Sequence, residues 1–498
     1  MGKEQLKDII KRIEDYARGY GLDFYPVIFE MVDFSQMNEV ASYSGFPVRY
    51  PHWRFGMQYR YMEKSYAYGL HKIYEMVINN NPCYAYLMDS NKMVDQKLVI
   101  AHVYAHCDFF KNNAYFKNTN RKMVDEMANH GMRIQKYANR FGYEAVENFL
   151  DVCFSLENLI DPNAIFEKRD YFDDGSVDVL EVEMPVVRRL KSKAYMESYI
   201  NPPEYLKKKK EAIIEAMRRK QRFPEDPEKD ILMFLIDYAP LPNWKRDILS
   251  MIREESYYFA PQAQTKIMNE GWAVYWHSKI MTAKVLNDSE LIDYADHHSG
   301  TLGVRPGVIN PYKLGFELFK NIEDRWNTGR FGKEYDECDD LAKKSAWDRN
   351  LGLGLEKIFQ VRKIYNDMMF IDEFLTDEFC RENKLFSYRL NPETNQYEIE
   401  DRSTEKIKER LLFGLTNMGH PFITVLDANY ENRGELYLKH RFDGVELRID
   451  YAKATLENLF KIWGRPVHVQ TMVGGSISLF SFDGSAHREG KLTENTAA

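Results

Sequence analysis

The sequence predicts a mainly α-helical large domain, residues 1–384, followed by a small α+β domain, residues 385–484. Apolar residues recur at helical spacing through most of the first part. At Leu385 the period changes to short alternating runs separated by turn residues. A length of 498 residues also exceeds one small core and fits roughly two to four domains.

Taken in order, Leu6, Ile9, Ile10 and Ile13 form the stripe of an opening helix that ends at Gly19 or Gly21. Residues 26–55 are mixed, because FPVRYPHWRFG is too rich in Pro and Gly for a helix. Helices are expected near 58–79, 95–112 and 120–141, within a mostly helical stretch to about 160. A composition shift at Asp161-Pro162 opens a charged excursion, about 162–227, containing FDDGSVDVLEVE and KKKKEAIIEAMRRKQRF. Its basic residues Lys207 to Lys210, Arg218, Arg219 and Lys220 read as a solvated helix face, since acidic stretches flank them; a docking patch is the alternative.

Helical character returns near 229, and Pro261 separates a helix ending near Tyr258 from the next. DHHSGTLGVRPGVINP, 296–311, reads as a loop, a favoured place for site residues, and offers His298. Helices continue to about Lys384. A hairpin follows (LFSYRL, YEIED), then a helix over 404–417 and strands at PFITVLDANY, ELYLKHRF and VELRIDY. A helix over 451–463 and the strands VHVQTM and ISLFSF complete the small domain, and the polar tail 485–498 is expected to be disordered.

Two segments carry chemistry. LVIAHVYAHCDFFKNN, 98–113, places His102 and His106 four apart, and KIMNEGWAVYWHSKIM, 266–281, places Glu270 and His277 seven apart. Both spacings put side chains on one helix face. From Leu98 to Phe110 the only strongly polar residues are His102, His106 and Asp108, so that helix is buried and its imidazoles need partners. His102, His106, Glu270 and His277 are therefore candidate ligands for a divalent metal of the zinc type. The competing reading is a buried hydrogen-bond network in a non-catalytic binding or adaptor protein. Val103 stands where H-E-x-x-H has its glutamate, so a base must come from elsewhere. Glu255 is the candidate, with Glu254 beside it, His298 joins it as a second catalytic candidate, and Asp108 is placed to orient a histidine. The same ligand types serve non-haem iron, so the metal is not identified.

The same segments carry a family resemblance. YPHWRFGMQY (50–59), YGLHKIYEMVINNNPCYAYLM (68–88), HVYAHCDFFKNN (102–113), REESYYFAPQAQTKIMNEGWAVYWHS (253–278), NPYKLGFELFKNIEDRW (310–326) and GELYLKHRFDG (434–444) resemble the SpoVR family, the stage V sporulation protein R-like proteins. The resemblance implies a bacterial cytoplasmic protein which, in spore formers, is needed for a normal spore cortex. It implies, as partners, an AAA-type serine protein kinase and a von Willebrand-type protein. It brings no established reaction; the cortex link makes a peptidoglycan precursor or muropeptide a reasonable substrate.

Composition sets the limits. Apolar residues at 44% and charged residues at 29% describe an ordinary globular chain. A net charge of −8 gives no general pull toward nucleic acid or anionic membrane. Five scattered cysteines without a C-x-x-C pair argue against a zinc ribbon or disulfide framework and for reduced thiols in a cytosol. The charged N-terminus has no apolar signal core, and ILMFLI is too short to span a bilayer, so integral membrane association is not expected.

Overall fold

The computed structural model describes residues 3–67, 75–166, 202, 204–210, 222–303, 308–392 and 394–492. The chain forms two compact units, Met1–Val146 with Tyr257–Gly419, and Glu147–Ser256 with His420–Ala498.

In the first unit, helix α1 (Lys3–Gly19) leads into strand β1 (Val27–Val32), and helices α2 (Phe34–Ser42) and α3 (Trp53–Ala67) follow. Strand β2 (Glu75–Ile78) runs antiparallel to β3 (Cys83–Met88), which pairs parallel with β1. The helix expected over 58–79 is thus cut short. EMVI holds only three apolar residues in a row, too few for periodicity to separate strand from helix, and β3 supplies its hydrogen-bond partners.

Two buried helices form the centre of this unit. Helix α4 (Met93–Asn112) is apolar nearly all round, and Val99, Ile100, Val103, Tyr104 and Phe109 are among its core residues. After α5 (Met123–Phe141), α6 (Tyr143–Ser155), α7 (Ile231–Tyr238) and α8 (Asn243–Gln264), helix α9 (Lys266–Ile280) returns the chain to α4 and contributes Met268, Trp272 and Trp276 to the same core. Pro261 lies inside α8 and does not end it. The break falls at Thr265, φ −130° and ψ 20°, whose hydroxyl donates to the Pro261 carbonyl at 2.7 Å.

Helix α10 (Leu291–Thr301) holds His298, so the segment expected as a loop from 296 is helical through 301. Helix α11 (Pro311–Thr328) crosses α9 where glycine meets glycine. A Cβ on Gly271 would stand 2.3 Å from the Gly315 carbonyl carbon, and one on Gly315 would stand 2.1 Å from the Ile267 oxygen. Only the absence of both side chains lets the helices approach so closely. Short helices α12 (Lys333–Asp336) and α13 (Leu341–Ser345) precede α14 (Gly354–Ile364), α15 (Asp367–Phe374) and α16 (Asp377–Glu382). The hairpin β4 (Ser387–Asn391) and β5 (Gln396–Asp401) and helix α17 (Thr404–Leu415) still belong to this unit, so its end falls at Gly419 and not at Leu385.

The second unit contains a mixed five-stranded sheet in the order β10-β9-β8-β7-β6. Its strands are β6 (Phe422–Tyr430), β7 (Glu435–Arg441), β8 (Val467–Val473), β9 (Ser476–Phe482) and β10 (His487–Lys491). Helix α18 (Ile449–Trp463) connects the parallel pair β7 and β8 and buries Leu456, Leu459 and Ile462. Two expectations change here. VELRIDY forms no strand, because α18 already begins at Ile449. The tail expected to be disordered carries β10, whose backbone pairs with β9 whatever its polar side chains. Of the charged excursion, 167–201, 203 and 211–221 lie outside the described residues, Arg218, Arg219 and Lys220 with them.

Candidate metal centre

Helix α4 is buried on almost every side, so its two histidines enter the core together, His102 at 4% and His106 at 5% exposure. The first turn of α9 is fixed by a carboxylate distant in sequence. Asp367 Oδ2 accepts from the Ile267 N–H at 2.7 Å and Oδ1 from the Met268 N–H at 2.9 Å, satisfying two donors that a helix N-terminus leaves open. Glu270 follows and faces α4.

Glu270 Oε2 lies 3.7 Å from His102 Nε2 and 3.5 Å from His106 Nε2. Nitrogen–oxygen hydrogen bonds are shorter than this, typically about 2.7–3.2 Å. Atoms bound roughly 2.1 Å from a tetrahedral ion lie about 3.4 Å apart. The separations suit an ion better than a proton, and ligand-type atoms of the three residues all fall within 4.8 Å of one another.

Tautomer chemistry points the same way. His106 Nδ1 donates to Asn269 Oδ1 at 2.9 Å, since an amide oxygen only accepts. In the neutral ring this leaves a lone pair on Nε2, facing a carboxylate oxygen. The ring is neutral at ordinary pH, because burial, aided by His102, pushes its pKa down to about 4 against the pull of Glu270 and Asn269. For Glu270, burial raises the pKa, but His102, His106 and Lys266 outweigh it and the carboxyl stays below its usual range. Its Oε2 is buried and accepts no hydrogen bond. Two acceptors thus face each other with nothing donated between them, an arrangement that a cation resolves.

The other predicted residues are placed as follows. His277 stands beside the cluster, its ring centroid 5.2 Å from that of His102, and His298 on α10 lies 5.7 Å beyond His277. With His106 at 4.5 Å from His102, four imidazoles form a file, the last of them half-buried and stacked on Tyr294. Burial first, and neighbouring histidines second, hold His277 well below the usual range; burial and Lys320 hold His298 down against Glu317. Glu255 is buried and belongs to the second unit, as does exposed Glu254.

Asp108 does not orient a histidine. It accepts from the Asp23 N–H at 2.8 Å and Trp272 Nε1 at 2.9 Å and pairs with Arg362, joining α4 to α9 and α14. Burial pushes its carboxyl up to about 6 in spite of these donors. The sequence reading missed Asn269 and Asp367. Asn269 carried a signal, as a polar residue next to Glu270 on an apolar helix face; Asp367 carried none.

A helical unit built around two buried helices that bring a His-x-x-x-His pair to a glutamate, joined in one chain to a mixed α/β sheet unit, defines the class. The chain belongs to the SpoVR family. The family model described as SpoVR like protein matches residues 1–420, and the one described as SpoVR-like C-terminal domain matches residues 421–474. The junction coincides with the end of the first unit at Gly419. The chain is 30% identical over 494 residues to the uncharacterized protein YcgB of Escherichia coli (strain K12), covering 94% of this chain and 92% of that one. No solved structure matches it. Membership makes it a bacterial protein of a sporulation-related family. Among the described residues, no helix is long and apolar enough to cross a membrane.

Proposed function

We propose that His102 Nε2, His106 Nε2 and Glu270 Oε2 hold one divalent transition-metal ion, and that the protein is a metal-dependent hydrolase-like enzyme. The spacing of these three atoms carries the reading: 3.5 and 3.7 Å from carboxylate to imidazoles, too long for hydrogen bonds and suited to a shared ion. With these three ligands from the described residues, such an ion would have a fourth position for a water, whose pKa it would lower toward neutrality. Asn269 fixes the His106 ring so that Nε2 is the ligating atom. His277 stands next to His102 and His298 extends the file, which puts two further imidazoles beside the proposed ion. The ligand set accommodates zinc or ferrous iron.

The test is elemental analysis of the purified full chain, repeated after reconstitution with zinc, iron and manganese. About one equivalent of one metal is expected. His106→Ala and Glu270→Gln should each lose most of it while keeping the helical circular-dichroism spectrum. A parent protein that takes up none of the three metals overturns the reading.

A further inference from the structure

A cavity of about 710 Å³ in the first unit is lined by the start of α9, the start of α11, the end of α16, the β4–β5 hairpin and α17. We infer that it binds an anionic amphiphile, a small molecule with an apolar body and a carboxylate or phosphate head. Three observations converge. The volume is that of a small-molecule site, which typically runs from about 300 to 1,000 Å³. The wall is apolar over much of its surface, with Ile267, Leu314, Phe379 and Leu411 among the lining residues. The charge is one-sided: Lys266, Lys313, Lys384 and Arg410 line the cavity against one carboxylate, Glu317.

In a chain of formal charge −8, four cations to one anion is the opposite of the whole-molecule balance. No carboxylate of the described residues forms an ion pair with any of the four. Lys266 acts at longer range on Glu270 and Asp367, but the other three cations gather around the apolar hollow without an ion pair among the described residues, which complements an anionic head on an apolar body. A cationic or neutral ligand of the same size would gain the apolar contact and forgo the charge.

The inference stands apart from the metal reading, since neither the two histidines nor Glu270 line the cavity. Lys266 nevertheless sits one helical turn ahead of Glu270, so an anion bound there is held close to the proposed centre in sequence and along the helix axis.

Calorimetric titration of the full-length protein with dodecanoate, dodecyl phosphate and dodecyltrimethylammonium, each below its micellar concentration, tests it. At least one of the two anions should bind ten-fold or more tightly than the cation, and the difference should shrink at high salt. Whichever anion binds better names the head group. Lys313→Glu combined with Arg410→Glu should weaken the anion by ten-fold or more. Gly414 lines the cavity with nothing within 4 Å of where its Cβ would be, so Gly414→Phe has room to fill the space and should weaken all three probes. Thermal midpoints of the variants report folding. His106→Ala, which removes a proposed ligand without altering the charge beside Lys266, should leave anion binding within two-fold of the parent, which separates failure of this site from failure of the metal centre. Equal binding of the cationic probe, or anion binding that survives both cavity variants in folded protein, overturns the proposal.

Discussion

Glu270 Oε2 is the atom on which the proposed metal chemistry turns. It faces two imidazole nitrogens at 3.5 and 3.7 Å, and one of those rings is fixed by Asn269 with its donor turned away. An ion that binds the folded state alone stabilises it by RT ln(1 + [L]/Kd), about 4 kcal/mol at a thousand-fold excess over Kd. A chelator should therefore lower the thermal midpoint of the parent by several degrees. Glu270→Gln keeps the shape, removes the charge and should show no such response. Equal chelator sensitivity in the two proteins would place the ion elsewhere. Asn269→Ala should retain the ligands yet reduce metal affinity by roughly 10- to 100-fold, as expected when the group that orients a ligating histidine is removed. Metal titration of the apo-protein measures this. At this scale the meeting of the two imidazoles was readable because i, i+4 spacing puts them on one face of an apolar helix, where buried polar groups need partners. That the partner would be Glu270 was readable only as a chance, since sequence gives faces and not the crossing of helices.

The elements that carry these residues are held by contacts far apart in sequence. Asp367 caps α9 from the start of α15, and Asn has only one oxygen to replace its two acceptors. Asp367→Asn should cost about 1–2 kcal/mol, the usual scale for a lost helix cap. Burial pushes the Asp367 carboxyl up to about 7 in spite of the two N–H donors. A carboxyl whose folded pKa is raised stabilises the protein fully below its unfolded value and loses that contribution as pH rises through the folded value. The parent's advantage over Asp367→Asn, present below about pH 4, should accordingly shrink and pass in the variant's favour between about pH 4 and 7 and stay level above it, in urea denaturation at several pH values. A gap that widens over that window would show that the charged form is the stabilised one. The α9–α11 crossing makes a second prediction. Gly315→Ala sets a methyl 2.1 Å from the Ile267 carbonyl, with backbone and not a flexible side-chain end in the way. Overpacking of this kind costs typically about 1–3 kcal/mol, and by pushing α9 from its seat it should also lower metal content, whereas Gly300→Ala, with nothing within 4 Å, should do neither. The helices themselves were legible from their stripes and caps. Strands β2 and β3 were not, because runs of four and six residues are too short to carry a period that separates strand from helix. Pro261 misled for a related reason: tertiary packing kept a helix that local stereochemistry favours ending.

Across the whole molecule, the change of period at Leu385 gave the existence of a C-terminal α+β part but not its edge. The hairpin and helix over 387–415 have strand and helix patterns like those that follow, and only contacts assign them to the first unit. Nor does sequence show that the sheet unit draws on residues from the middle of the chain. Glu228 exchanges two backbone hydrogen bonds with Val425, at 3.0 and 2.7 Å, and the Ala428 N–H donates to the Phe223 carbonyl at 2.6 Å. These bonds cover strand β6, which is the sheet's edge in the order β10-β9-β8-β7-β6. An uncovered edge strand leaves a row of unpaired backbone groups open to another chain. In the same unit, Asp230 accepts a forked pair of bonds from Arg253, which ties the segment after Glu228 to α8. A fragment of residues 420–498, although it contains the whole C-terminal family match and all five strands, should therefore fold poorly or self-associate through β6. The same fragment joined by a flexible linker to residues 222–256 should stay monomeric and unfold cooperatively. Size-exclusion chromatography and urea denaturation of the two fragments decide it. A monomeric, cooperative 420–498 fragment would show that the mid-chain segment decorates the sheet without being needed by it.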